Sequence, residues 1–294
     1  MTIKTLTPSS VAFEHILKHA VAPRPICFAS TIDKEGNINL SPFSYFNIVS
    51  HNPAICVFSP LRRMRDGTTK HTLENIKEVP EVVINIVNYN LVQQQSLAST
   101  EYGKGIDEFV KAGLTPIPAT MIRPPRVAES PVQLECKVKD VISFGDTPGA
   151  GNMVLAEVLL MHIKEEVFGE DGEIDQAKLD LVARLGGDWY CRVDRQNLFE
   201  VAKPLRKLGI GVDQVPRQIR QSTVLTGNHL GQLGNIEQLP NEQQVDALRL
   251  EPEIRDLLNA FIGDRATLEI HLHRKAAELL DVGDVEKAWK VLLL

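Results

Sequence analysis

The stretch PRPICFASTIDKEGNINLSPFSYFN, residues 23–47, decides the fold. Its runs ICFASTI and INLSPF place successive side chains on opposite faces and are typical of β-strands. Between them, Asp-Lys-Glu-Gly at residues 33–36 puts glycine where a tight turn requires a positive φ. The stretch therefore predicts a β-hairpin in which the second run returns as the partner of the first.

The predicted hairpin carries many hydroxyl and amide groups for a buried position. Its two faces are otherwise largely apolar, and they are interrupted by Ser30, Thr31, Asn39, Ser41 and Ser44. Such side chains supply directed donors and acceptors for a polar heterocycle or a sugar chain. They are also typical of sheet edges and turns, and the residues alone leave both interpretations open.

Four more segments are predicted to be strands, at residues 53–60, 81–88, 133–145 and 152–168. The alternation in 133–145 indicates a solvated edge, whereas 152–168 is apolar on both faces and indicates a central strand. Asn85 stands among apolar neighbours and is interpreted as a polar group satisfied inside a barrel. Few helices separate these strands, which favours a small antiparallel barrel over an alternating β-α-β sheet.

Helices are predicted around residues 10–19, from residues 70–76 onward and through residues 91–100, with Thr72 as the N-cap of the second. The proline-rich run at residues 115–131 is predicted to be an extended connector.

The character of the chain changes beyond Lys203, where apolar residues recur with helical periodicity. The sequence therefore predicts a β-rich domain over residues 1–203 and a mostly helical C-terminal extension over residues 204–294.

Composition excludes several classes of protein. The 294 residues are 43% hydrophobic, as in an ordinary globular chain, and carry a net charge of −6. This charge argues against nucleic acid or an anionic membrane as a partner. We see neither a secretory signal nor an apolar run of membrane-spanning length. The four cysteines are scattered, which favours core thiols in a reducing cytoplasm.

Motifs for several kinds of chemistry are missing from the sequence. Neither GxGxxG after a strand nor a P-loop is present, and there is no GxSxG nucleophile motif. His15 and His19 lie one helical turn apart, and His271 and His273 are two residues apart, but neither pair has a third ligand nearby. We therefore predict no metal site and no catalytic side chain.

A basic loop is the first positive indication of a ligand. Arg62, Arg63, Arg65 and Lys70 run into the predicted helix start at Thr72. Guanidinium, ammonium and hydroxyl groups beside free backbone N–H groups are what a phosphate monoester needs. The alternative is a solvated basic loop.

His162 is a second candidate. Simple alternation places it on the face shared by Val154, Val158 and Leu160, where a histidine is either a core residue or a ligand-binding one.

Several motifs, in order, carry a resemblance to a known family. They are the hairpin stretch, VFSP, KHTLENI, VVINIV, DEFVKAGLTPIP, RPPRVAESPVQLEC and RLGGDWY. Over residues 21–200 the chain resembles the flavin reductase-like FMN-binding split-barrel proteins, the group that includes flavoredoxin and the reductase components of two-component monooxygenases. The resemblance implies a mainly β fold, a six-stranded antiparallel and Greek-key-like split β-barrel with flanking helices, and a homodimer.

The resemblance also implies an FMN site. Flavin and ribityl contacts would come from Ser30, Thr31, Asn39, Ser41 and Ser44, with backbone groups of Pro42 and Phe43 along the ring. Lys70, Thr72 and an arginine of the basic loop, Arg65, would hold the phosphate. His162 and Tyr190 would lie near the flavin or the partner subunit. The chain has His71 where the family usually has aspartate, which adds positive charge at the phosphate.

The implied function is an oxidoreductase that passes a hydride from NAD(P)H to flavin N5, for which the protein needs no acid–base pair. The sequence leaves one alternative open, an FMN-binding electron carrier reduced by a protein partner. A monooxygenase or another electron-transfer protein is the expected partner. A third reading is a barrel that has lost flavin and serves as a scaffold for the C-terminal extension.

Overall fold

The computed structural model describes residues 2–8, 12–201, 203–204 and 208–294. The chain divides into two compact units, Met1–Phe199 and Glu200–Leu294, and each is described by itself.

The strands are β1 Arg24–Pro25, β2 Cys27–Ile32, β3 Ile38–Phe43, β4 Phe46–His51, β5 Ala54–Phe58, β6 Glu81–Ile86, β7 Pro116–Ile117, β8 Arg126–Val127, β9 Val132–Ser143, β10 Asn152–Ile163, β11 Val182–Arg184 and β12 Tyr190–Arg192. The α-helices are α1 Phe13–Ala20, α2 His71–Glu78, α3 Val92–Ala98, α4 Glu108–Ala112, α5 Gln176–Leu179, α6 Arg217–Arg220, α7 Gly227–Gly234, α8 Glu242–Arg249, α9 Pro252–Ala260, α10 Arg265–Asp281 and α11 Val285–Leu292. Three short 3-10 helices cover Tyr89–Leu91, Glu165–Val167 and Val212–Gln214.

A seven-stranded sheet dominates the first unit. Its order is β3-β2-β6-β9-β10-β5-β4, and every neighbouring pair is antiparallel. A three-stranded sheet, β1-β11-β12, and a two-stranded sheet, β7-β8, complete the unit. The large antiparallel sheet with flanking helices agrees with the predicted class, with one strand more than the six expected. Among the described residues no ladder joins β3 to β4, so barrel closure is not seen.

The opening stretch forms the predicted hairpin. β2 and β3 pair from Cys27 with Phe43 to Ile32 with Ile38. At the turn, the Asp33 carboxylate accepts hydrogen bonds from the backbone and side-chain nitrogens of Asn37, each at 2.8 Å. Gly36 has a φ of +94°, a conformation that a side chain would strain.

Both faces of the hairpin are buried, as its composition predicts. Cys27 and Ala29 belong to the apolar core on one face of the sheet. Phe28 and Leu40 belong to a second core, on the other face, together with Phe109 of α4. Burial of a phenylalanine side chain contributes about 2–3 kcal/mol, so this second core holds the helices firmly against the sheet.

The structure corrects three predictions about the sheet. β9 is not a solvated edge, because it lies between β6 and β10. β4, which the sequence analysis missed, forms a hairpin with β5 and is an edge strand. The proline-rich connector contains the two-residue strands β7 and β8.

Asn85 has the structural role predicted for it. It is fully buried, its amide nitrogen donates to the Val83 carbonyl at 3.2 Å, and its amide oxygen accepts from the Val127 backbone N–H at 2.9 Å. The side chain thus ties β6 to β8.

The remaining helical predictions hold for the described residues. α1 begins at Phe13, and the start of the predicted helix at residues 9–11 lies outside the described residues. α3 and the preceding 3-10 turn occupy the third predicted helix. No helix in the described part of the chain is long and apolar enough to cross a bilayer.

The described secondary-structure elements of the second unit are all helices, and the unit has a core of its own. Trp289 is fully buried in this core, and its indole N–H donates to the Leu233 carbonyl at 3.0 Å. Two of its helices, α7 and α8, begin with capping boxes at Thr226 and Asn241.

Glu135 on β9 holds the proline-rich connector against the sheet. The side chain is fully buried and accepts hydrogen bonds from the backbone N–H groups of Thr120 at 2.7 Å and Met121 at 2.6 Å. Its Oε1 also lies 2.7 Å from His162 Nε2. Burial alone would raise the pKa of this carboxyl, but these hydrogen bonds outweigh burial and lower it.

We predict that Glu135→Gln lowers the free energy of unfolding by about 2–3 kcal/mol near neutral pH, because the amide NH₂ would face backbone N–H donors. Because the folded-state pKa of Glu135 is lowered, its carboxylate stabilises the wild-type protein fully above the pKa of an unfolded glutamate, about 4.3. This stabilisation is lost as the pH falls through the folded pKa, so the difference between the two proteins should shrink there. Urea denaturation at several pH values measures it. Glu157→Gln, which removes the exposed pair with Lys139, is the control, and equal losses in the two variants would contradict the prediction.

Candidate functional site

A small recess lies beside the edge strand β3. It is bounded by the first residues of α2, by the segment of residues 99–102 that follows α3, and by α4. Its lining includes Asn39, Ser41, Arg63, Lys70, His71 and Glu108. We call this feature the lysine recess.

Two hydrogen bonds join the hairpin to α2 beside the lysine recess. The Thr72 hydroxyl donates to the Asn39 amide oxygen at 2.7 Å, and the Asn75 amide donates to the Thr31 hydroxyl at 3.2 Å. All four side chains are buried. Thr31 and Asn39 are therefore already engaged by the protein rather than free for a ligand.

Thr72 is not the N-cap of α2, contrary to prediction. The helix begins at His71, and Lys70 occupies the cap position without a side-chain cap. The Thr72 side chain instead reaches across to Asn39, because it lies within the first turn on the face that packs against the hairpin.

Glu108 forms the floor of the lysine recess. Its two carboxylate oxygens accept hydrogen bonds from the Asn39 amide and from the Leu40 backbone N–H, each at 3.0 Å. Burial raises the pKa of Glu108, and these two hydrogen bonds partly offset it. The carboxylate thus accepts a backbone N–H at the open edge of β3. The sequence analysis did not assign this role to Glu108.

Lys70 is the principal cation of the lysine recess. It is half-buried, and in the described part of the chain its Nζ has no hydrogen-bond acceptor and no carboxylate within 4.0 Å. The ammonium lies 5.5 Å from the centre of the Phe43 ring. Burial lowers its pKa, and nearby Arg63 lowers it further, while Glu101 opposes both. A half-buried cation without an anionic partner indicates an anion site.

The arginines of the basic loop have different surroundings. Arg63 lines the lysine recess with a side chain only 13% exposed, and its Nε lies 3.8 Å from Glu101 Oε1. It also donates to the Thr68 hydroxyl at 3.0 Å and to the Thr69 carbonyl. Arg62 turns away and pairs with Asp146 at 2.6 Å.

Arg65, the predicted phosphate arginine, is 69% exposed. It pairs with Asp66 at 2.9 Å and with Glu101 at 3.3 Å. The structure therefore favours Arg63 over Arg65 as the arginine of the recess. The spacing of three arginines within four residues could not distinguish them.

A second, more apolar cavity of about 340 Å³ lies at the end of β3 and is lined by Arg24, Ser44, Tyr45, Phe46, Phe58 and Phe144, among others. We call it the aromatic slot. Ser41 lies on β3 and lines the lysine recess, whereas Ser44 lies just beyond the end of β3 and lines the aromatic slot. Among the described residues neither serine hydroxyl has a hydrogen-bond partner, so both remain available to a ligand.

Phe43 connects the two features. Its ring packs against Phe58 at 5.1 Å between centroids, with Lys70 above it. Phe43 thus supports the site from within the core, whereas Pro42 lies opposite Phe28 on the other face of the hairpin.

Ser30 lies apart from the other hairpin residues. It pairs with Leu40, which puts it on the face opposite Thr31 and Asn39. Its hydroxyl is fully buried and has no hydrogen-bond partner. Ser30 and Thr31 therefore lie on opposite faces of β2, because consecutive residues of a strand point to opposite faces.

His162 is on the face opposite the predicted one. A β-bulge between Val158 and Leu160 adds one residue to β10, so His162 lies opposite Gln133, on the side of Glu135. The side chains of Val154 and Ala156 enter the core on the other face. His162 belongs to the Glu135 network, and its hydrogen bond involves none of the recess residues.

Tyr190 lies on β12 beside α3. Its hydroxyl lies 3.3 Å from Gln95 Oε1, and the Arg184 guanidinium stacks on its ring at 4.5 Å. Neither the lysine recess nor the aromatic slot includes it.

The part of the chain that the structure describes contains no cluster of three histidine, cysteine or acidic side chains that could hold a metal ion. Its four cysteines are free thiols. Burial raises the pKa of Cys56 to about 11.

We predict that Thr72→Val lowers the free energy of unfolding by about 1–2 kcal/mol, because the buried Asn39 oxygen loses its donor. Thermal denaturation measures the change, with the exposed Thr115→Val as the control. A loss no greater than that of the control would show that Thr72 does not hold the hairpin to α2.

Comparison with known proteins identifies the fold family. Residues 19–178, more than half of the chain, match the family described as flavin reductase like domain. An uncharacterized protein from Halalkalibacterium halodurans is 35% identical over 190 residues, which cover 63% of this chain and 90% of that protein.

Two solved structures resemble the chain. Nitrilotriacetate monooxygenase component B from Bacillus cereus is 28% identical with a TM-score of 0.63, covering 68% of this chain and 100% of that one. A protein from Shewanella frigidimarina described as a flavin reductase with a split barrel domain is 27% identical with a TM-score of 0.56, covering 64% of this chain and 91% of that one.

Proposed function

Because the chain belongs to the flavin reductase like family, we propose that it binds FMN and catalyses hydride transfer from NADH or NADPH to it. Bound flavin would supply the redox chemistry by accepting two electrons as a hydride. The single observation that carries the choice of FMN is Lys70, a half-buried ammonium without an anionic partner among the described residues, at one end of β3.

The protein's residues have separable roles in this proposal. Lys70 and Arg63 bind a phosphate monoester as charged donors, and the Ser41 hydroxyl lies beside them. The aromatic slot accepts the apolar ring system and excludes water from it, with Ser44 available to a polar atom. The two features are lined by neighbouring residues of one chain segment, so a mononucleotide, in which one linear chain joins ring and phosphate, can contact both.

Glu108 and Thr72 position the site without contacting the ligand. They fix Asn39 and the edge of β3, so the donors are held before a ligand arrives. Such preorganisation reduces the entropy lost on binding.

The proposed assembly is a cytoplasmic homodimer that delivers electrons to a monooxygenase or another electron-transfer protein. Ile48 and Val49 on the edge strand β4 are 57% and 59% exposed, which supports a contact there. The component B from Bacillus cereus supports the monooxygenase as a partner class.

Replacement of Lys70 by alanine is expected to weaken FMN binding about tenfold or more, since a charge-assisted contact to phosphate contributes about 1.5–3 kcal/mol. Riboflavin, which lacks the phosphate, should bind equally well to both proteins. Fluorescence quenching of each flavin measures the affinities.

Lys77→Ala, an exposed position on the same helix, is the matched control. Equal losses for FMN and riboflavin in Lys70→Ala would place Lys70 away from the phosphate. A wild-type protein that binds neither flavin would overturn the proposed function.

We also expect NADH or NADPH to bleach the FMN-loaded protein in anaerobic stopped-flow experiments, at the flavin absorbance maximum near roughly 450 nm. Bleaching by a reduced protein partner but by neither nicotinamide nucleotide would instead identify an electron carrier. The two outcomes separate the reductase from its alternative.

A further inference from the structure

We infer that His71 binds the phosphate of FMN as an imidazolium, so that FMN binding takes up a proton and the preference for FMN over riboflavin falls as the pH rises. This inference rests on the proposed function and adds to the same site a titratable group that favours FMN over riboflavin.

The position of His71 supports this role. It is the first residue of α2, follows Lys70 directly and lines the lysine recess. It is half-buried, and in the described part of the chain its ring nitrogens have no hydrogen-bond partner. Both are thus available to a ligand in the recess.

Burial and neighbouring cations favour the neutral form of His71 when the recess holds no anion. Burial is the largest influence and lowers the pKa of the imidazole; Arg63 and Lys104 lower it further, while Glu74 raises it. The start of a helix also disfavours a cation. The other charged groups that line the recess are Lys70, Glu101 and Glu108.

A phosphate in the recess reverses this balance. A phosphate monoester carries a charge of about −1.5 to −2 near neutral pH, and a nearby anion favours the protonated imidazole. Binding therefore raises the pKa of His71 and draws one proton from solvent. The contribution of His71 to affinity is complete below its pKa in the free protein, and it is lost as the pH rises through its pKa in the complex.

The ordinary pKa of its side chain distinguishes His71 from its cationic neighbours, Lys70 and Arg63. The ordinary pKa values of lysine and arginine lie far above neutrality, so these residue types attract phosphate without coupling its binding to protons near pH 7. The ordinary pKa of an imidazole lies near neutrality.

Isothermal titration of FMN in two buffers of different ionisation enthalpy measures the protons taken up. Near pH 7 we expect the wild-type protein to take up more protons than His71→Asn, with riboflavin showing no difference between them. The variant should bind FMN about three- to tenfold more weakly near pH 6 and almost equally near pH 8.5.

The wild-type protein must be compared with His71→Asn because FMN itself titrates, with a second phosphate pKa of about 6. His71→Lys keeps a positive charge that does not titrate in this range, so it should bind FMN tightly at both pH values without the additional proton uptake. His15→Asn, at an exposed position on α1, is the control.

The inference is overturned if His71→Asn retains the proton uptake and the pH profile of the wild type. That result leaves the proposed function intact as long as Lys70→Ala selectively loses FMN. Failure of the wild type to bind FMN at any pH overturns the proposed function instead.

Discussion

The hydrogen bond from the Thr72 hydroxyl to the Asn39 amide, 2.7 Å long, joins the hairpin to the helix that begins beside it. Asn39 in turn donates to Glu108, whose second oxygen accepts the Leu40 N–H at the open edge of β3. One buried side chain thus fixes three elements relative to each other. Because each of its hydrogen bonds is shielded from water, removing one partner leaves a buried polar group unsatisfied.

This arrangement separates the groups that build the site from those available to a ligand. Thr31, Asn39 and Thr72 are satisfied within the protein, whereas Lys70 is cationic, half-buried and without an anionic partner in the described part of the chain. A folded protein tolerates such a group where a ligand supplies the missing charge. The polarity of Thr31 and Asn39 therefore has a structural cause, since both side chains hold the hairpin to neighbouring helices.

The sequence anticipated the antiparallel sheet and the hairpin with its tight turn, because these depend on side-chain alternation and local turn chemistry. It misjudged β9, because pairing on both sides of a strand depends on distant segments. His162 was misplaced for a related reason. The extra residue of a β-bulge inverts the alternation of side chains between the two faces, and the local sequence does not indicate the bulge.

The sequence by itself determined the family and the chemical character of the site, since ordered motifs and clustered basic residues are properties of the chain. Only the tertiary structure decided which of these residues converge. Arg63 rather than Arg65 lines the recess, Asn39 is hydrogen-bonded to Glu108, and the Lys70-His71 pair lies in the same recess as Asn39 and Ser41. The physical reason is that burial and pairing depend on contacts between segments far apart in the chain.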